Sequence, residues 1–476
     1  PYTVYNYGKI NLRGSMDASD PEAAWINEIN SFFSYGGGIT MFRTNGLLEA
    51  IAHGNTISYS GITDQSIILS EFVHYYNLML EGSGLKTLLS NVHLHGNFTA
   101  NARFAHNNKA INFHGDEMQY ISGTVPPTLY DMNMINSGPG LTLQTPVFVD
   151  HNLSLANGKI FTSTVNLLTI NNNGTTSGES VNSFVNGPLG KIGDDAFVFP
   201  VGKGSVYARI GISAPQIVGS KFIAEYYYTA FSNTSSVTTP IYNVSTVEYW
   251  DLLRNAGSDS VKVQLFWEDA VRSGINDYSQ DLLVARWDGS SWVSRGQSTI
   301  TGSDPGNITS FVVNVFNQFT FGSRSPFVNP LPVTYLTYNA VYAAGNVNIS
   351  WTTASENNND FFTIEKTNDL SSISGIGTEY GQGNSNIPVS YNYYDVKPSA
   401  GIYYYRIKQT DFNGQSESTP WMQVEIPENK DLIIYADNTS KSISISLPQS
   451  VTDYTVRVFN LSGQIVSTNY WIHGEL

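Results

Sequence analysis

Over the first 184 residues, apolar and polar side chains alternate in short runs broken every few positions by Gly or Asn. Val92 and Leu94, for example, alternate with His93 and His95. A period of two sends one set inward and the other to solvent, as in a strand. Gly or Asn then takes the corners where positive φ is needed. The pattern repeats loosely: YYNLMLEGSGLKTLLSNVHLHGNFT, from Tyr75, aligns with LYDMNMINSGPGLTLQTPVFVDHNLS, from Leu129. Gly84 and Gly140 fall at equivalent turns in this alignment, and Asn97 matches Asn152. Such self-similarity points to stacked coils of about 20 residues each. Residues 1–184 therefore predict a right-handed parallel β-helix. Within ASDPEAAWINEINSFF, Asp20-Pro21-Glu22 reads as a helix start and predicts a short capping helix.

The pattern then changes. From 185 to 326, strand-like segments around Tyr249-Trp250, Val263–Trp267, Leu282–Trp287 and Ser291–Val293 are separated by Asp-Gly and Ser-Gly turns, which predicts a β-sandwich. Its four tryptophans are expected in or beside the core. Ser323–Pro332 is punctuated by prolines and reads as a linker. Residues 333–427 have the size and rhythm of a fibronectin- or immunoglobulin-like sandwich. There Val347, Ile349 and Trp351 alternate on one strand, Phe362 and Ile364 on another, and Tyr403, Tyr405 and Ile407 on a third. The last segment, 431–476, alternates Ile443, Ile445 and Leu447 with serines, then Tyr454, Val456 and Val458 with Thr455, Arg457 and Phe459. Asn460-Leu461-Ser462-Gly463 reads as a hairpin turn. A sandwich stopping at Leu476 would leave an open edge, so the natural chain is expected to continue. The whole is all-β.

Charge narrows the partners. With 39 acidic against 24 basic residues and a net charge of −15, the chain would repel nucleic-acid phosphates, and no nucleic-acid partner is expected. The absence of cysteine removes disulfides, thiolate metal sites and cysteine nucleophiles together. No apolar run approaches the ~18 residues of a membrane-spanning helix. The opening PYTVYNYGKI has neither a basic region nor an apolar stretch, so an export signal is expected to have been removed or to lie outside this sequence.

Candidate chemistry is sparse. The oxygen-rich ASENNND between Trp351 and Phe361 reads as a turn joining two strands, because Asn and Asp satisfy their own backbones there. Calcium is the competing reading, but it wants about six or more oxygens in defined order. His93 and His95 share a strand face at a spacing a metal pair could use, with His106 or His114 as partners from a neighbouring coil. A solvated outer face explains the same pattern. Asp194-Asp195, beside Lys191 and Lys203, reads as a turn rather than a carboxylate site. Glu81, Asp116, Glu117, Asp131, Asp150 and Glu179 show no repeating offset that would pair two on adjacent coils, which counts against a polysaccharide-cleaving enzyme. No nucleophile elbow, zinc-protease helix or phosphate-binding loop is found, and no catalytic residue, metal or cofactor is expected. Asp259-Ser260-Val261 resembles a short O-glycosylation motif of Bacteroidota, a three-residue pattern that also arises easily by chance.

Several of these segments carry a resemblance. LPVTYLTYNAVYAAGNVNISWTTASENNNDFFTIEKTNDL followed by GIYYYRIKQTDFNGQSE resembles the sandwich that precedes the C-terminal sorting domain in proteins exported by the type 9 secretion system of Bacteroidota. VRVFNLSGQIV resembles the core of the type A sorting domain itself. FVFPVG, WDGSSW and FTFGS resemble a module common in large surface proteins of the same group. The final strands usual in that family, introduced by Gly-Xaa-Tyr and closing on basic residues, are missing here. The resemblance implies that the outer-membrane translocon and its shuttle protein read the C-terminal domain. The passenger is then released outside the cell or attached through a surface polysaccharide. It carries the recognition role onto Val458, Asn460, Leu461 and Gly463. A cell-surface or secreted adhesin or structural component is the expected function. A carbohydrate-active enzyme or lectin using the β-helix groove is the alternative.

Overall fold

In a computed structural model of the chain, described for residues 3–14, 22–37, 47–67, 74–270, 272–275, 278, 280–325, 334–385, 388–412, 414, 416–427, 433–437, 442–446 and 453–472, every regular element is a strand. The chain divides into two units, Pro1–Leu331 and Pro332–Leu476.

The first unit begins as a parallel β-solenoid of about eight turns. Ten parallel strands, from Lys9–Leu12 to Val201–Lys203, stack into one face, closed by Val206–Tyr207 running antiparallel. A second face stacks His74–Tyr75, Val92–Leu94, Ala110–Phe113, Thr128–Ile135, Val147–Asn157, Leu168–Ile170 and Leu189–Ile192. Register places like side chains above one another. Phe33, Ile57, Leu78, Phe98, Ile121 and Leu143 form one buried column, and Tyr75, Leu94, Phe113, Met134 and Leu155 another. Each such side chain contributes about 1.5–3 kcal/mol by burial, and that replaces the disulfides the sequence lacks.

Corners are tied by polar side chains. Gln119 is buried, its Nε2 donating to the Leu94 and Gly96 carbonyls at 3.0 and 2.6 Å while Oε1 accepts from Gly115 N at 3.0 Å. Gln65 does the same with the Tyr35 and Gly37 carbonyls and Gly61 N. These braces meet backbone groups that coil geometry leaves unpaired.

Parallel pairing passes residue 184 without a break, and the second face is then extended by antiparallel strands Lys221–Tyr227, Tyr249–Ala256, Gln318–Ser323, Leu282–Trp287 and Trp292–Ser294. A five-stranded antiparallel sheet shares the same continuous core. Trp250, Trp267 and Trp292 are fully buried, and Trp287 packs at the edge of a smaller cluster.

Two expectations are corrected. Asp20-Pro21 lies outside the described residues, but Ala24–Asn27, inside the expected helix, is a strand pairing with Thr3–Asn6. Burial decides this: Trp25 and Asn27 both point inward at period two. The equivalence of the two repeated segments also fails. Gly84 precedes Lys86–Leu88 in a three-stranded sheet, whereas Gly140 precedes Leu141–Leu143 in the eleven-stranded one. Asn97 and Asn152 likewise fall on different faces. Coils vary from 16 residues (Val185 to Val201) to 25 (Ile160 to Val185), so one fixed offset slides across the corners.

In the second unit, Asn346–Thr367 is a single 22-residue strand. Its first half pairs with Thr334–Ala343 and Val389–Val396, its second with Ser374–Ser385 and Gly401–Asp411. Val347, Ile349, Trp351, Phe362, Ile364, Tyr405 and Ile407 are buried in one core, with Tyr403 packed against it. Residues 326–332 of the proline-punctuated linker, and Leu447, lie outside the described residues. Ile433–Asp437 with Ser442–Ser446, and Asp453–Phe459 with Ile465–Ile472, form two separate hairpins.

Candidate functional site

The residues singled out for recognition occupy the tip of the last hairpin. Asn460 N donates to the Gln464 carbonyl at 2.9 Å, and Gly463 N donates to the Asn460 carbonyl at 3.0 Å. The Asn460 side-chain oxygen accepts from Ser462 N, Ser462 Oγ and Gln464 N at 3.1, 2.8 and 2.9 Å. Gly463 closes the loop at φ +78°, a left-handed conformation that glycine adopts without strain. The tip therefore needs Asn and Gly for its own geometry. The apolar neighbours have no such role: Val458, Phe459, Leu461, Ile465 and Val466 are all exposed. A cluster of exposed large apolar groups marks a contact surface more often than an idle one.

ASENNND is neither a turn nor a cation loop. The long strand runs straight through it and changes sheets there, with pairing shifts between Glu356, Asn359 and Phe361. Strands that pass from one sheet of a sandwich to the other do so through such irregularities. Glu356 is the reason. It is buried, Oε1 accepting from Thr353 Oγ1 at 2.8 Å and Tyr391 Oη at 2.5 Å, Oε2 from Asn359 Nδ2 at 2.9 Å and Gln382 N at 2.8 Å. With both oxygens doubly occupied by protein donors, this carboxylate is not presented to a cation.

His93 and His95 lie on the outer face of the solenoid, where they meet His114 and also His74, which sequence reasoning missed. His74 Nδ1 lies 2.9 Å from His95 Nε2, and His93 Nδ1 lies 2.9 Å from His114 Nε2. The rings of His74 and His93 stack at 4.6 Å, and those of His93 and His114 meet at 4.9 Å with a tilt of 38°. The coil length carries the signal: 74, 93 and 114 follow one another at about one turn. Partial burial, then the neighbouring imidazoles, lowers the His93 pKa to about 4 and holds His95 and His114 below the ordinary value. The two close contacts are proton-sharing pairs, and among the described residues no three ligand-type side chains converge as a metal site requires.

His106 directly follows Phe104–Ala105 of the three-stranded sheet. Its Nε2 approaches Asp150 Oδ2 at 3.1 Å, and Asp131 Oδ1 lies 2.7 Å from His151 Nδ1, with Tyr130 stacked 4.5 Å from His151. Asp131 and Asp150 are thus each engaged with a histidine, and a pairing shift between Leu129 and Asp131 sets Asp131 opposite Asn152.

Lys191 is buried and bridges Asp195 Oδ2 at 2.8 Å with the Asn171 and Gly174 carbonyls at 2.9 and 3.0 Å. Burial lowers its pKa, and Asp195 opposes that shift. Lys203 instead faces Glu225 at 3.4 Å. In Asp259-Ser260-Val261 the serine is exposed and Asp259 accepts from Ser220 Oγ and from Ile217 N at 3.2 Å.

Comparison with protein-family models, with curated proteins and with solved structures finds no match to this chain.

Proposed function

We propose that this is a non-enzymatic cell-surface or secreted protein, an adhesin or structural component, exported by the type 9 secretion system of Bacteroidota. The outer-membrane translocon and its shuttle protein are the proposed partners, with surface polysaccharide as an attachment point. The observation that carries the reading is the last hairpin. A tip locked by Asn460 and Gly463 holds Val458 and Leu461 in solvent, where a folded signal can be read by shape and by strand edge. The solenoid suits the role of passenger, because each coil is sealed by its neighbours. The titratable clusters on its outer face are engaged with one another, which favours a non-catalytic load.

The test is to produce the chain in cells with an intact type 9 system and in cells lacking its outer-membrane translocon. The protein is expected outside the first cells and trapped inside the second. Equal export from both would contradict the proposal.

A further inference from the structure

One cleft in the first unit is not accounted for by the reading above. It has a volume of about 550 Å³, within the ~300–1,000 Å³ range of small-ligand sites. Its wall is built by Thr176–Val181 on one side and by Tyr207, Arg209 and Glu268 on the other. Topology explains the convergence. Thr175–Ser177 is a short strand on the solenoid, Tyr207 ends the eleven-stranded face, and Glu268 directly follows Val261–Trp267 of the five-stranded sheet.

Two polar atoms in this wall are shielded from water and have no hydrogen-bond partner: Tyr207 Oη and Glu179 Oε2. Tyr207 is 95% buried, at 5% relative exposure, and its hydroxyl lies within the electrostatic reach of Arg209, Glu179 and Glu268. Burial pushes its pKa well up, so the hydroxyl is a neutral donor and acceptor at any physiological pH. An unpaired buried hydroxyl or carboxylate oxygen typically costs about 1–3 kcal/mol, a cost that a ligand supplying the missing bonds would remove. The rest of the wall is preorganised. Arg209 holds Glu268 through two bonds, Nε to Oε1 at 2.6 Å and Nη2 to Oε2 at 3.0 Å, and its guanidinium sits 4.5 Å from the centroid of Phe266. Ser180 and Ser183 exchange backbone bonds at 3.0 Å, closing the turn that carries Glu179.

We infer that this cleft binds an uncharged polyhydroxylated ligand, a saccharide. Sugar hydroxyls can accept from Tyr207 Oη and donate to Glu179 Oε2, supplying the partners these two atoms lack. Arg209 and Glu268 neutralise one another through their two bonds, which leaves Glu179 as the wall's acceptor for hydroxyl donors. Thr176, Ser177 and Ser180 add hydroxyls, and exposed Val181 offers an apolar edge for the C–H face of a sugar ring. This gives the surface-protein reading a ligand class, and the two fail separately. Export is read in cells; binding is read on purified chain.

The experiment applies the purified chain, wild type, Tyr207→Phe and Glu179→Gln, to an array of neutral hexose and pentose oligosaccharides, with propylammonium and calcium titrated separately by calorimetry. Far-UV circular dichroism and the melting temperature show that the variants fold. The wild type is expected to bind at least one saccharide, with affinity about tenfold or more weaker in each variant. No saccharide bound by the wild type, saccharide binding unchanged in both variants, or a cation bound in place of sugar would overturn the inference.

Discussion

Tyr391 Oη donates to Glu356 Oε1 at 2.5 Å, joining Val389–Val396 to the point where the neighbouring 22-residue strand changes sheets. The carboxylate is held by three further donors from Thr353, Asn359 and Gln382, so the crossover and its polar anchor are one feature. Removing the acid strands all four donors in a buried site. Glu356→Ala is expected to destabilise this unit by about 3 kcal/mol or more, since each buried donor left unsatisfied costs about 1–3 kcal/mol. Tyr391→Phe removes one bond to a charged acceptor and is expected to cost ~1.5–3 kcal/mol. Urea unfolding followed by tyrosine and tryptophan fluorescence checks both. A Glu356→Ala midpoint equal to wild type would remove the anchor from the account.

Phe98 lies in the middle of the column from Phe33 to Leu143 and is fully buried. Phe98→Ala leaves a cavity between two coils and is expected to destabilise the solenoid by ~3–5 kcal/mol. Exposed Val165 is the control, with Val165→Ala expected within about 0.5 kcal/mol of wild type. Thermal melts of the two variants separate the effects.

The imidazoles of His93, His95 and His114 make the solenoid acid-sensitive. His93 has a folded pKa of about 4, below the unfolded value of 6.5, and His95 and His114 are shifted in the same direction. Between those values the unfolded chain binds more protons than the folded one, so stability falls as pH is lowered from about 6.5 towards 4. His93→Gln is expected to flatten that part of the profile. Melting temperatures from pH 7.5 to 4 for both proteins are the check, and imidazole NMR titration should place His93 well below the ordinary histidine value.

The extent of legibility follows from where information is local. Period-two alternation at Val92, Leu94, Val347, Ile349 and Trp351 pointed to strands and to their buried faces, because alternation is a property of one segment. Coil register is not, and the fixed offset between Gly84 and Gly140 misled because coil length varies. The oxygens of ASENNND suggested a turn because each residue was weighed by its own propensity. The strand runs through because Glu356 finds Tyr391 and Gln382, 35 and 26 residues further on. His74 and the convergence of Glu179 and Tyr207 on one cleft were hidden for the same reason: both join residues far apart in the chain. The hairpin Asn460–Gly463 was legible in full, since a tight turn is specified by its own four residues.

Export itself offers the most direct test, with substitutions confined to the exposed tip. Leu461→Asp alters a fully exposed side chain, and Asn460→Ala removes the acceptor that organises the loop. Both proteins should reach wild-type levels inside type 9-competent cells and keep the strand-rich circular dichroism of the parent. The amount recovered from the cell surface and medium is expected to fall tenfold or more for each. Export of both variants at wild-type levels would contradict the claim that this hairpin is the signal.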